Sequence, residues 1–241
     1  MNREASAYDD LAESTFAADA PVSERSTFIK RTYLHLLGAV LAFGLLLTLW
    51  MNLPGIDGMV RSMVSGYAWV GVMIAFLVVS AIAERMARNA ASLQSQYIGL
   101  SLYVLLESII FVPLMYVALK FGGAKVVPTA VIMTLVLFGG MTMIVFSSKA
   151  DFSFLGSVLW AVSLAAVGYL ICAMLFGFGT GVIFTAIMIG VMCLWILYDT
   201  SNVLHHYHTT QHVAASLALF ASLATLFWYV LRLAMVLSKE E

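Results

Sequence analysis

The sequence predicts an all-α membrane protein: a polytopic transmembrane bundle of seven helices, with the last helix central. Three observations carry this prediction. Of 241 residues, 62% are hydrophobic and only 10% are charged, with a mean hydropathy of +0.98; soluble domains run at about 45–50% and about 25%. That is more apolar surface than the chain's own core can bury, so lipid must cover the rest. The apolar residues also gather into continuous runs near the ~20 residues a helix needs to cross a bilayer, without the alternation of barrel strands.

The elements follow in order. Residues 1–27, "MNREASAYDDLAESTFAADAPVSERST", are polar and acidic without helical periodicity, which predicts a disordered tail. Acids occupy the stretch where a secretory signal would carry its basic start and apolar core. A transmembrane domain is expected over 28–238, with spans at roughly 32–52, 66–83, 96–118, 126–147, 154–176, 180–199 and 213–236. Pro113, Gly139 and Gly140 inside them are tolerated where neighbouring helices cover the backbone. "GFGTG" at 177–181 is the shortest turn and makes spans five and six an antiparallel hairpin.

Small residues recur at four-residue spacing on two spans: Ser157, Ala161 and Ala165 on the fifth, and Ala214, Ala218 and Ser222 on the seventh. Such stripes let backbones approach closely in lipid. The seventh also carries Ala221 and Thr225, so two of its sides are small, which suits a helix surrounded by the others. The two cysteines, Cys172 and Cys193, lie in apolar runs and read as reduced packing residues.

Orientation comes from Lys and Arg in the connections. One side collects Arg3, Arg25, Lys30, Arg31, Arg85, Arg88 and Lys149; the other collects Arg61, Lys120, Lys125, Arg232 and Lys239. The basic pair Lys30–Arg31 abuts the first span, where the bias acts most strongly. This places the N-terminus in the cytoplasm, here of a bacterial cell whose inner membrane holds the chain, and the C-terminus outside.

Charge inside a span costs ~2.5–3.5 kcal/mol on the mildest scale, so each instance is a functional candidate. Glu107 sits mid-span in "LYVLLESIIFVPLM". Arg232 and His35 lie near span ends and read as interface anchors. Asp199 closes the sixth span, where the helix macrodipole disfavours an anion, so it needs a cation, hydrogen bonds or a proton. Arg85 and Arg88, at the end of the second span on the same side, are its natural partners. Behind Asp199 come His205, His206, His208 and His212. Imidazole titrates near neutrality, which makes this loop a candidate pH sensor. The spacing of His208 and His212 would suit a metal only on a helix, and no carboxylate or cysteine joins them, so no metal is expected. No nucleophile–base motif, phosphate-cradling glycine loop or HExxH pair points to an enzyme. The formal net charge of −1 offers nothing to nucleic acid, and no cofactor is implied.

Four stretches carry a resemblance to a known family. "LYDTSNV" at 197–203 followed by "HVAASLALFASLATLFWYVLRL" at 212–233 resembles the penultimate and last spans of the Bax inhibitor-1 family of seven-helix membrane proteins. "ERMARNAA" at 84–91 and "YVLLESIIFVPL" at 103–114 are similar in placement and character. The likeness covers roughly 28–236. It implies a pH-sensitive calcium leak governed by two aspartates that share protons near the cytoplasmic face. One aspartate carries over onto Asp199. Aligning "SLALFAS" with the family's last span puts Ser222 where the second belongs, and Thr225 where an asparagine is usual. The resemblance also implies a basic latch on the aspartate, for which Arg85 is the nearest match and Arg88 the next.

The expected function is therefore a passive ion leak, with calcium as the transported ion, gated at Asp199 and lined by Glu107, Ser222 and their neighbours. The alternative is a regulator without a channel, bound to a membrane protease or to stress and cell-death machinery; the missing second acid favours it. An intramembrane hydrolase using Glu107 lacks a partner base.

Overall fold

The computed structural model describes residues 15–65, 68–89, 92–148, 150–177 and 179–238. They form eight helices: α1 (Val22–Met51), α2 (Ile56–Val64), α3 (Ala68–Ala87), α4 (Leu93–Phe121), α5 (Val126–Ser148), α6 (Leu155–Phe176), α7 (Val182–His205) and α8 (His212–Leu237). All but α2 are long and apolar enough to cross a membrane. The chain is an all-α, multi-pass integral membrane protein with seven spans.

Of the tail expected over 1–27, residues 1–14 lie outside the described residues, as do Lys149 and Lys239 of the charge tally. The rest of the tail is structured. Ala17 N–H donates to the Tyr207 carbonyl at 2.9 Å, and Thr209 N–H donates to the Thr15 carbonyl at 3.2 Å. Between these bonds the Phe16 ring stacks on His208, with centroids 4.2 Å apart. Helix α1 then begins at Val22, ten residues ahead of the expected span. Its polar first turns need no lipid: the Ser26 and Thr27 hydroxyls donate back to the Ser23 carbonyl. At ~1.5 Å per residue, the 30-residue helix runs ~45 Å, well beyond a ~30 Å hydrocarbon core.

Helix α2 is an element the hydropathy pattern did not reveal. Gly55, at φ 85°, supplies the left-handed residue that opens it. Its Val60 and Met63 pack on Val112 of α4, beside Trp50, Trp69 and Tyr116, while Tyr116 donates its hydroxyl to Asp57. Gly177, also left-handed at φ 72°, stops α6. The glycine-rich turn after it, expected to join spans five and six, leads into α7.

The described chain divides into two compact units. The first holds residues up to Tyr116 together with Val203–Phe220; the second holds Val117–Asn202 and the chain from Ala221 onward. In the first, Phe220 of α8 meets Phe43 and Tyr103 edge-on at 5.7 and 6.2 Å, and Phe43 meets Phe111 at 5.0 Å. Helices α3 and α4 approach closely at Gly99: a Cβ there would lie 2.5 Å from the Ala83 carbonyl oxygen and 2.6 Å from the Ala87 nitrogen. In the second unit Leu159, Met188 and Val191 form a core edged by Trp195, Tyr198 and Tyr229.

Helix α8 is the most enclosed span. Burial takes 72% of its most apolar window, against 56% for α4 and 28% or less for the others. This agrees with the central last helix expected from its small residues. The small stripe on α6 does not pack in this way: Ser157, Ala161 and Ala165 are exposed, and Gly156 and Leu159 face inward instead. Where every position is apolar, small-residue spacing alone does not say which face is buried. Gly156 decides it here, because a Cβ at that position would lie 2.8 Å from the Tyr198 ring.

Candidate functional site

Asp199 belongs to the second unit, on α7. The helix continues past it to His205, because Thr200, Ser201, Val203 and Leu204 are all buried and keep the turns packed. Asp199 is therefore six residues inside the helix rather than at its end. Macrodipole effects fade within the last turn, so the dipole penalty expected from sequence is largely absent. Hydrogen bonding answers the carboxylate instead. Ser222, buried on α8, donates its hydroxyl to the Asp199 Oδ2, a charge-assisted bond when the acid is ionised.

The loop before α6 docks beside this pair. Ser201 Oγ donates to Asp151 Oδ1 at 3.1 Å and accepts from the Phe152 N–H at 2.8 Å, while Asp151 also accepts from the Ser153 N–H at 2.9 Å. Two residues from Asp199, a serine thus ties α7 to the start of α6.

A cavity of about 270 Å³ opens within the second unit. Ser163 of α6, Met188 and Trp195 of α7, and Ser222, Thr225 and Tyr229 of α8 line it. The Trp195 indole donates to Ser163 Oγ at 3.2 Å, and the Thr225 hydroxyl donates to the Ala221 carbonyl at 2.9 Å. Ser222, Thr225, Tyr229 and Arg232 recur at three- and four-residue steps and so share one face of α8. That face spans ~15 Å, about half a hydrocarbon core. Arg232 closes it: the guanidinium donates to the Thr180 carbonyl at 2.7 Å and also to the Thr180 hydroxyl. Arg232, which its place near the span end marks as an interface anchor, thus bonds to Thr180 just ahead of α7, and Thr225 contributes a hydroxyl as well as a small side chain. The usable signal is the polar periodicity of α8, which small-residue spacing alone presents as packing. The face thus carries an acid at its Ser222 end, a base at its Arg232 end and hydroxyls between them.

The other sequence candidates lie in the first unit. Glu107 is 5% exposed, and its Oε2 has no hydrogen-bond partner. It stands one turn from Tyr103 and one turn from Phe111, the residues that meet Phe220 and Phe43. A carboxyl so placed in a span needs water, a cation or its own proton. Arg85 and Arg88 are both exposed near the end of α3.

The histidines are dispersed rather than gathered. His208 stacks on Phe16, His212 lies 5.0 Å from His35, and His205 lies 6.2 Å from His206. Residues 206–211 form a turn, not the helix that would align His208 with His212. Among the described residues, no three His, Cys, Asp or Glu side chains are placed to hold a metal.

Known proteins match along nearly the whole chain. The family model described as inhibitor of apoptosis-promoting Bax1 matches residues 25–239. A protein of Schizosaccharomyces pombe named Bax inhibitor 1 is 27% identical over 242 residues, covering 98% of this chain and 88% of that one. Protein lifeguard 4 of Mus musculus is 26% identical over 239 residues, covering 96% and 94%. An uncharacterized protein of Helicobacter pylori is 25% identical over 243 residues, covering 95% and 96%.

Proposed function

This chain belongs to the Bax inhibitor-1 family of non-enzymatic membrane proteins, and on that premise we propose that it is a passive cation leak with calcium as the transported ion. The observation that carries the reading is the Ser222–Asp199 hydrogen bond beside a cavity whose mainly apolar wall carries the hydroxyls of Ser163, Ser222, Thr225 and Tyr229. Asp199 supplies the anionic oxygen that a hard cation seeks; Ser222, Thr225 and Tyr229 supply neutral oxygens along the same face of α8. Arg85, or failing it Arg88, acts as the basic latch that holds Asp199 in the closed form. Glu107 is a second carboxyl of the pathway, and the loop of His205, His206, His208 and His212 is the alternative seat of any pH response. The membrane is a bacterial inner membrane with the N-terminus cytoplasmic, a reading supported by the Helicobacter relative and by Lys30–Arg31 ahead of the first span.

A second reading rests on the single acid. With Ser222 opposite Asp199, the cation pathway has few carboxylates, and the name of the yeast relative, Bax inhibitor 1, suits a regulator of other proteins. Purified protein in liposomes loaded with a calcium dye separates the two. Calcium entry that falls away in Asp199→Asn supports the leak; no entry above empty liposomes, with a membrane protein co-purifying, supports the regulator.

A further inference from the structure

A groove of about 520 Å³ runs along the first unit between α1 and α4. Gly38 and Ala42 of α1, one turn apart, form its floor. Leu34 and Leu45 flank them and are 55% and 61% exposed; Leu100 and Val104 of α4 form the opposite wall. The lining stretch of α1, Leu34 to Leu46, rises ~18 Å, close to the ~15 Å depth of one leaflet.

One end of the groove is polar and basic. The His35 Nδ1–H donates to the Arg31 carbonyl at 2.7 Å, which leaves Nε2 to accept from the Tyr97 hydroxyl at 3.0 Å. A tyrosine with its hydroxyl in such a network marks the membrane–water boundary. Lys30 and Arg31 lie one turn beyond Leu34 and are exposed. Helix α4 carries no acid from Leu93 to Leu106, and the nearest acid on α1 is Glu24, two turns earlier. Among the described residues of α1 and α4, no acid stands within a turn of the basic pair at the mouth of this apolar groove.

We propose that this groove is a binding site for an anionic phospholipid, with one acyl chain over Gly38 and Ala42 and the phosphate held by Arg31 and Lys30. An acyl chain matches the length and apolar walls of the groove; an anionic headgroup matches its basic mouth.

Detergent-purified protein titrated with phosphatidylglycerol or phosphatidylcholine of identical chains, followed by native mass spectrometry and thermal unfolding, tests this. Phosphatidylglycerol should bind and raise the melting temperature, and phosphatidylcholine should do neither. Lys30→Gln with Arg31→Gln should weaken the phosphatidylglycerol complex roughly thirtyfold. Gly38→Leu should abolish it while leaving the helical spectrum intact, because nothing lies within 4 Å of a Cβ at Gly38. Equal effects of the two lipids would overturn headgroup recognition. Phosphatidylglycerol binding untouched by all three substitutions would move the site elsewhere. A dimer that Gly38→Leu converts to monomer would give the groove to a second copy of the chain.

Discussion

The Ser222 hydroxyl donates to the Asp199 carboxylate, so an acid on α7 is answered on α8 by an alcohol rather than by a second acid. Two carboxylates forced together cannot both ionise easily, and the pair takes up protons as one unit near neutrality. An alcohol and a carboxylate have no such coupling. Wild-type flux in calcium-loaded liposomes should therefore vary little from about pH 5 to 8. Ser222→Asp should install a steep dependence in that range, and adding Asp199→Asn should remove it. A steep wild-type profile that survives Asp199→Asn would end this account and turn attention to the histidine loop.

The latch is tested by charge removal. If Arg85 pairs with Asp199 in the closed form, Arg85→Ala should raise resting flux. Breaking a desolvated ion pair costs ~3–5 kcal/mol, and much less at a water-exposed edge. An effect of Arg88→Ala with none from Arg85→Ala would transfer the latch to Arg88. Unchanged flux and unchanged melting temperature in both variants would rule the latch out.

Two glycines should respond in opposite directions to the same methyl group. Gly99→Ala drives a Cβ into the backbone of Ala83 and Ala87, so α3 and α4 must separate, at a cost of roughly 1–3 kcal/mol for overpacking. Gly38→Ala meets nothing within 4 Å and should be neutral, or stabilise by up to about 1 kcal/mol through helix propensity. Thermal unfolding in matched detergent compares them directly. A Gly99→Ala protein as stable as the wild type would show that the two helices are not closely apposed.

Topology can be read by chemical labelling. In a background with Cys172 and Cys193 replaced, His206→Cys and Ser238→Cys flank the single crossing by α8. An impermeant thiol reagent should reach them from opposite sides of the membrane. Labelling of both from one side would mean that α8 does not span.

The spans were legible in the sequence because each is a continuous apolar run, and the larger shifts in their bounds are polar extensions of the helices. Hydropathy is blind to such extensions. Val22–Arg31 and Thr200–His205 are helical yet polar enough to read as tail and loop. Treating "DTSN" as a stop put Asp199 at a helix end it does not occupy. Helix α2 was invisible for a related reason: nine residues following Pro54 and Gly55 are too few for any membrane window, and their apolar face shows only once Val112 covers it. The site was half legible. Asp199 stood out as a charge, whereas its pairing with Ser222 was suggested only by the family resemblance, and the place of Thr225 and Tyr229 beside it shows only in the cavity lining. The separation of the histidines by the turn at 206–211 was not legible, since spacing along the sequence does not say whether the loop is helical.

The joint between Phe16–Ala17 and Tyr207–His208 constrains something no charge tally reaches. Two points of a chain tied by main-chain hydrogen bonds share one face of the membrane, because neither partner can reach the other through lipid with its backbone groups unsatisfied. The polypeptide between them must then cross an even number of times. Helices α1, α3, α4, α5, α6 and α7 supply six crossings, and any odd number would leave Thr15 and Thr209 on opposite faces. The joint acts as a parity check on the crossing count, and it leaves α8 as the odd crossing whose far end emerges opposite the N-terminal segment.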